Sequence, residues 1–337
     1  MIKSPLFWWK SFSLYSLALY PFSFIYGLIA SRMMKNGSRW NIPVPILCIG
    51  NFVMGGAGKT PTALAMASAI INRNLKPGFL SRGYGRKLKS AHRVDLEKHG
   101  SYDVGDEPLL LAHKAVTVVA NDRRIGAQML LQEGVDIIIM DDGFHSADLK
   151  TDFSLLIVDS FRGLGNGFVF PSGPLRVPLS TQLLYVDAIL YVGDSKNIIS
   201  GIDMKRTYFA QLKPRQGLNL SDVRVLAFAG IADTDKFFIT LQNLGAILVE
   251  RYSFGDHAYL SDKEMDFLID RAERENLVLV TTEKDAMRLR KRSGISKNLL
   301  SQSMVIGVEM VFENPENPAS IVEETFASFY KKQSLSQ

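Results

Sequence analysis

Gly55-Gly56-Ala57-Gly58-Lys59-Thr60 stands directly behind an apolar run at 44–50 and ahead of a helix-patterned stretch at 60–74. Glycines let backbone amides turn inward around phosphate oxygens, and a helix N-terminus adds positive potential at the same spot. Lys59 can reach the outer phosphates of a nucleotide, and the Thr60 hydroxyl suits Mg²⁺. A full pattern of this type carries glycine where Val53 stands. A plain glycine turn would not require Lys and Thr at the helix start, so the stretch predicts a nucleotide-binding P-loop. Such a loop needs an acidic partner for the metal at the end of a neighbouring buried strand. The run at 135–140 ends in Asp141-Asp142-Gly143 and supplies one, with Asp141 as the expected metal ligand.

Working outward, further apolar runs at 76–81, 115–120, 153–159 and 188–192 alternate with helical patterns at 108–113 and 123–133. Strand–helix alternation of this kind predicts a P-loop NTPase-like, mostly parallel sheet with helices on both faces. After a looser region at 195–217 a second set begins. It has strands at 223–229, 246–252 and 277–281 and helices at 234–244, 261–275 and 286–292, a smaller C-terminal α/β lobe. The expected division is an N-terminal helix at 1–35, a P-loop core at 36–205 and a C-terminal lobe at 206–337. No internal repeat is present, which excludes solenoids.

The chain has 337 residues, 47% of them hydrophobic and 22% charged, enough for a sizeable core and two lobes. A formal charge of +5 favours anionic partners without choosing among nucleic acid, acidic lipids and phosphorylated substrates. The single cysteine, Cys48, can form no intramolecular disulfide. It sits in an apolar run, as a buried structural thiol would. Residues 12–30 form a largely apolar stretch, opened by Trp8-Trp9-Lys10 and closed by Arg32 and Lys35. Its serines, tyrosines and Pro21 suit a helix at a membrane headgroup boundary better than a spanning one, and the sequence leaves the choice open. No small-x-small cleavage site precedes Arg32, which weighs against a secretory signal.

Other polar residues are ambiguous alone. Asp106 and Glu107, before Pro108, could simply complement a helix dipole. Arg82, Arg86 and Lys87 form a basic loop that is equally a solvated turn or an anion contact. His257 carries no signal by itself. Thr282-Glu283-Lys284-Asp285 mimics a guanine-reading element, which would make the chain a GTP-dependent switch. It lies far from the P-loop, however, and Asp141-Asp142-Gly143 lacks the switch-loop spacing. A membrane-bound regulatory ATPase without a small-molecule acceptor is a further alternative.

Taken in order, several short motifs resemble the tetraacyldisaccharide 4'-kinases, the lipid A 4'-kinases of Gram-negative bacteria. They are Gly-Gly-Ala-Gly-Lys-Thr-Pro at 55–61, Ser-Arg-Gly-Tyr-Gly-Arg at 81–86, Gly-Asp-Glu-Pro at 105–108, Asp-Asp-Gly-Phe at 141–144 and Pro-Ser-Gly-Pro-Leu-Arg at 171–176. Ala229-Gly230-Ile231, Asp256-His257 and Thr282-Glu283-Lys284-Asp285 complete the set. The resemblance implies transfer of phosphate from ATP, with Mg²⁺, to the 4'-hydroxyl of a tetraacylated glucosamine disaccharide 1-phosphate. It also implies work at the cytoplasmic face of the bacterial inner membrane, with no nucleic-acid partner. It assigns Asp106 as base, His257 as its partner and Lys59 as a catalytic cation. Gly55, Gly56, Ala57, Gly58, Lys59, Thr60 and Pro61 would hold the nucleotide, and Thr60, Glu107 and Asp141 the metal. Arg82, Tyr84 and Arg176 would face the substrate. Two departures stand out: His145-Ser146 where the family usually has Gln-His, and Val177 where it usually has Glu.

Overall fold

Runs of strand residues buried on both faces are what a parallel sheet between helix layers requires. In the computed structural model, which describes residues 5–56, 58–194, 199, 202 and 205–335, every residue of β1 (Ile46–Asn51) is buried. Ahead of it lies α1 (Leu14–Asn36). After it come α2 (Lys59–Ile71), β2 (Pro77–Ser81), β3 (His92–Arg93), α3 (Ser101–Val104), α4 (Asp106–Ala112) and β4 (Val116–Val119). The chain continues through α5 (Arg123–Gln132), β5 (Ile137–Asp141), β6 (Phe153–Asp159), α6 (Leu179–Leu183), β7 (Ala188–Val192) and β8 (Arg206–Pro214). Next is β9 (Arg224–Ala229), α7 (Thr234–Asn243), β10 (Ile247–Ser253), α8 (Asp262–Glu275) and β11 (Val278–Thr282). The last elements are α9 (Glu283–Leu289), α10 (Ile295–Gln302), β12 (Ser303–Ile306), β13 (Val308–Phe312) and α11 (Asn317–Ser334).

Among the described residues the strands make two sheets. The larger has nine strands in the order β13-β8-β7-β6-β1-β5-β2-β4-β3, and the smaller has four, β10-β9-β11-β12. The larger sheet is parallel from β8 to β4, with antiparallel edges at β13 and β3. Alternate β1 residues feed two cores. Leu47 and Ile49 pack with Ala63, Met66 and Ile70 of α2 and Ile321 of α11. Ile46 and Cys48 pack with Ala127 and Leu130 of α5. Burial pushes the Cys48 thiol up to about 12, as an inert core thiol. Because β1 is central, with later strands added on either side, the loop after it opens at the carboxyl edge where α/β sheets hold ligands.

Two expectations need correction. The boundary at 205/206 precedes a strand of the larger sheet, and β13 and α11 return to that sheet, so the 206–337 stretch contains parts of both lobes. A strand joins whichever sheet offers its backbone partners, and composition around 195–217 does not reveal that choice. The helix expected at 286–292 instead runs Glu283–Leu289. The Thr282 side chain caps it by accepting from the Asp285 amide, which starts the helix three residues earlier.

Candidate active site

Ile49 of β1 lies opposite Asp141 of β5, so the loop leaving one strand and the acidic end of the other emerge side by side. The first half of the loop is anchored. Buried Asn51 donates from Nδ2 to the Gly55 carbonyl at 2.9 Å. The Met54 amide donates to the Pro174 carbonyl at 2.8 Å, and Val53 bridges Leu175. The backbone bridge ties the loop to the 171–176 segment, and the Val53 side chain, where the full pattern has glycine, is buried in the same core cluster as Leu175. Gly58, at φ +90°, occupies the left-handed region just before α2, where a side chain would be strained. Lys59, Thr60 and Pro61 form the first turn. Pro61 costs nothing there, since its missing N–H would have had no intrahelical partner. Ala57 lies outside the described residues. Lys59 Nζ sits 3.4 Å from the Gly55 carbonyl and 4.0 Å from Asp142 Oδ1. A Cβ on Gly56 would come within 3.9 Å of Ala232, so the P-loop faces the turn after β9 of the smaller lobe.

Asp141 and Asp142 have opposite environments. Burial, then the nearby Glu107 charge, push Asp141 up to about 7, with Lys59 pulling the other way. Its Oδ1 is buried without a hydrogen-bond partner. Burial would raise Asp142 as well, but Lys59 and Arg176 override it and hold that carboxyl well below the usual range. Arg176 grips Asp142 with both terminal nitrogens, each at 3.2 Å. An orphaned carboxylate oxygen next to Glu107 and the P-loop fits a divalent cation. The described residues contain no ready-made cage of three or more His, Cys, Asp or Glu side chains. Mg²⁺ needs none, because it takes one or two carboxylates plus phosphate and water oxygens.

Asp106 begins α4 after Gly105, whose φ of +97° allows the sharp entry. Its Oδ2 accepts from His257 Nδ1 at 3.1 Å and from Arg288, through Nε at 2.8 Å and through Nη2. Its Oδ1 accepts from the Glu107 amide at 3.0 Å. Burial opposes ionisation of Asp106. The His257 hydrogen bond and the Arg288 and Lys284 charges outweigh it, leaving the carboxyl well below its usual range. For His257, burial lowers the pKa, but the Asp106 bond and charge prevail and the imidazole is raised. His257 holds a φ of +57° and donates its amide to the Gly230 carbonyl at 3.2 Å. Its ring centroid lies 5.5 Å from that of exposed Tyr84.

Arg82 is exposed beside Tyr84, whereas Arg86 turns inward. Arg86 donates to the Ser90 and Lys89 carbonyls and to Asn121, so it shapes the loop from within rather than meeting an anion. The Thr282–Asp285 element is likewise engaged. Lys284 pairs with Glu107, while Asp285 accepts from the Gly230 amide at 3.2 Å and from Thr282 Oγ1 at 2.6 Å. A guanine-reading role would require those groups to be available to a base. His145 Nε2 donates to Gln182 Oε1 at 2.8 Å, and Gln182 Nε2 in turn donates to the Val177 carbonyl at 2.6 Å. The two departures from the family pattern thus meet in one hydrogen-bonded cluster.

Arg288 and Gln182 were not singled out from the sequence. Arg288 stands four residues after Lys284 on one helical face, but its partner Asp106 is 182 residues away. Local pattern carries no trace of that pairing.

A profile of the Tetraacyldisaccharide-1-P 4'-kinase family matches residues 15–327. A tetraacyldisaccharide 4'-kinase of Allorhizobium ampelinum is 50% identical over 334 residues, covering 96% of this chain and 97% of that protein. One of Rhizobium rhizogenes is 46% identical, covering 97% and 93%. Among solved structures, LpxK from Aquifex aeolicus in complex with ATP aligns with a TM-score of 0.72 at 25% identity, covering 92% of this chain and 99% of that one. Fold, P-loop and sequence agree, and the chain belongs to the tetraacyldisaccharide-1-phosphate 4'-kinase family.

Proposed function

We propose that this chain transfers the γ-phosphoryl group of ATP to the 4'-hydroxyl of a tetraacylated glucosamine disaccharide 1-phosphate. The observation that carries the reading is the convergence of Lys59 and Thr60, the orphaned Asp141 oxygen and the Asp106–His257 pair at one carboxyl-edge crevice. Gly55 to Pro61 cradle the triphosphate, and Lys59 neutralises charge on the transferred group. Thr60, Glu107 and Asp141 would hold Mg²⁺, which when bound shields the phosphate oxygens. Asp106 accepts the hydroxyl proton as the sugar oxygen bonds to the γ-phosphorus. The bond from phosphorus to the bridging oxygen breaks, ADP departs, and Asp106 returns its proton to solvent. Phosphoryl transfer through a loose transition state demands positioning more than a strong base, so an ionised, hydrogen-bonded Asp106 suffices. His257 orients it, and Arg82, Tyr84 and Arg176 border the acceptor.

The lipid substrate requires a membrane-facing surface. The exposed face of α1 carries Leu17, Phe22, Ile25, Leu28 and Ile29, while its packed face is Ser16, Ser23, Gly27 and Met34. This inversion supports docking at the cytoplasmic face of the inner membrane, where ATP is available. The test is incubation with γ-labelled ATP, Mg²⁺ and the disaccharide 1-phosphate lipid, followed by chromatography of the lipid fraction. Label enters the lipid with the parent chain and falls about 100-fold or more with Lys59→Ala. An unlabelled lipid fraction from protein that still binds Mg-nucleotide would exclude this acceptor.

A further inference from the structure

The proposed base is held mainly from the other lobe, by a residue outside the Asp–His pair. Arg288 is 4% exposed in its side chain, and its two carboxylate partners, Asp106 and Asp285, are 5% and 2% exposed. Its planar guanidinium spends its donors in a fixed pattern. Nε and Nη2 meet Asp106 Oδ2, while Nη1 meets Asp285 Oδ1 at 2.7 Å and the Gly230 carbonyl at 2.6 Å. Asp285 is in turn fixed by the Gly230 amide and the Thr282 hydroxyl. The smaller lobe therefore presents Arg288 as a braced fork, with no freedom to follow Asp106 if that side chain rotates.

The two oxygens of Asp106 are consequently unequal. Oδ2 takes the N–H groups of His257 and Arg288, while Oδ1 takes the single amide of Glu107. A carboxylate oxygen can accept about two hydrogen bonds, so Oδ2 is saturated and Oδ1 keeps a lone pair. We propose that Arg288 is a positioning residue for phosphoryl transfer: it locks the Asp106 carboxylate so that Oδ1 is the oxygen that receives the acceptor's hydroxyl proton. This rests on Asp106 being the base, as argued above. Because Arg288 belongs to the smaller lobe, the base acquires this orientation only when that lobe is docked on α4. Docking thus couples assembly of the base to closure over the P-loop, which Gly56 and Ala232 already bring face to face.

A lysine at 288 would keep a positive charge between the two carboxylates but could not present two fixed N–H bonds to Oδ2 while also reaching Asp285. Arg288→Lys and Arg288→Ala are therefore compared with the parent by steady-state kinetics and by calorimetric titration with Mg-nucleotide. The expected result is a kcat lowered about 10-fold in Arg288→Lys and about 100-fold in Arg288→Ala. The KM for ATP and the nucleotide affinity should stay within about twofold of the parent. Added guanidinium ion should restore part of the Arg288→Ala rate, which a fold-maintenance role would not permit. If Arg288→Ala does not fold, Arg288→Lys alone decides. Parent kcat in Arg288→Lys overturns the proposal, as does a loss of kcat that tracks nucleotide affinity or the folded fraction. Asp106→Asn separates the two claims: full activity there removes the base itself, whereas an inactive Asp106→Asn beside an unimpaired Arg288→Lys removes only the role of Arg288.

Discussion

Asp141 and Asp142 differ because of what each side chain meets. The first ends a buried strand with an oxygen that has no protein partner, and the second turns toward Lys59 and Arg176. The same reasoning makes His145 informative. Burial, then the nearby Arg176 charge, lower its imidazole to about 4 from an ordinary value of 6.5. The native state thus binds fewer protons than the unfolded chain between those values. The share of stability that His145 contributes is complete above about pH 6.5 and is lost as the pH falls toward about 4, by about 3 kcal/mol at most. Asp141, raised to about 7, acts in the opposite sense across the same window. The readout is therefore the difference in urea midpoint between the parent and His145→Gln, which can retain a hydrogen bond to Gln182. That difference should move against the parent as the pH falls from about 6.5 to about 4. A variant with the parent's pH slope would show that His145 titrates normally. The sequence marked this position as a departure from its family, but the charge state depends on Gln182, Arg176 and Asp142 closing around it.

At the scale of elements, α1 shows how composition can suggest a membrane and still hide the geometry. The helix docks through small residues: Ser23 Oγ donates to the Val169 carbonyl at 2.5 Å, and Asn166 donates to Ser16 Oγ at 3.0 Å. A Cβ on Gly27 would meet Pro178 at 3.3 Å. Its large apolar side chains point away from the protein, with Phe22 65% and Ile25 58% exposed. Replacing Phe22, Ile25 and Ile29 together with serine should weaken sedimentation with anionic vesicles about 100-fold or more, since each side chain contributes about 1.5–3 kcal/mol on burial. The melting temperature should hardly change, because none of the three supports the core. Undiminished vesicle binding would place the contact elsewhere. Serine content and Pro21 weigh against a spanning helix in the sequence, whereas the structure shows why serines are there: they face the protein.

At the scale of the whole molecule, the chain leaves the larger sheet after β8, builds the smaller sheet, and returns as β13 and α11. The lobes are further fastened by Arg162–Asp233 at 2.9 Å, Arg215–Glu283 at 3.0 Å and Tyr259 Oη to Ser101 Oγ at 3.1 Å. The returning helix is integral to the core, since Ile321 and Val322 are fully buried against the layer that contains Met66 and Ile70 of α2. Ile321→Ala should cost about 2–4 kcal/mol, read as a lower urea midpoint at unchanged slope. A midpoint equal to the parent's would mean that α11 is not part of the cooperative unit.

The amino-acid sequence by itself determined the parallel α/β class, the nucleotide loop and the acidic strand end beside it. Those features are written in local periodicity and in glycine, lysine and threonine at fixed offsets, which act within a few residues. Only the tertiary structure decided that β8 and β13 belong to the larger sheet, that Arg86 turns inward, and that Arg288 reaches Asp106. These are pairings between distant parts of the chain, settled by which buried charges and backbone edges find partners once the lobes close on each other.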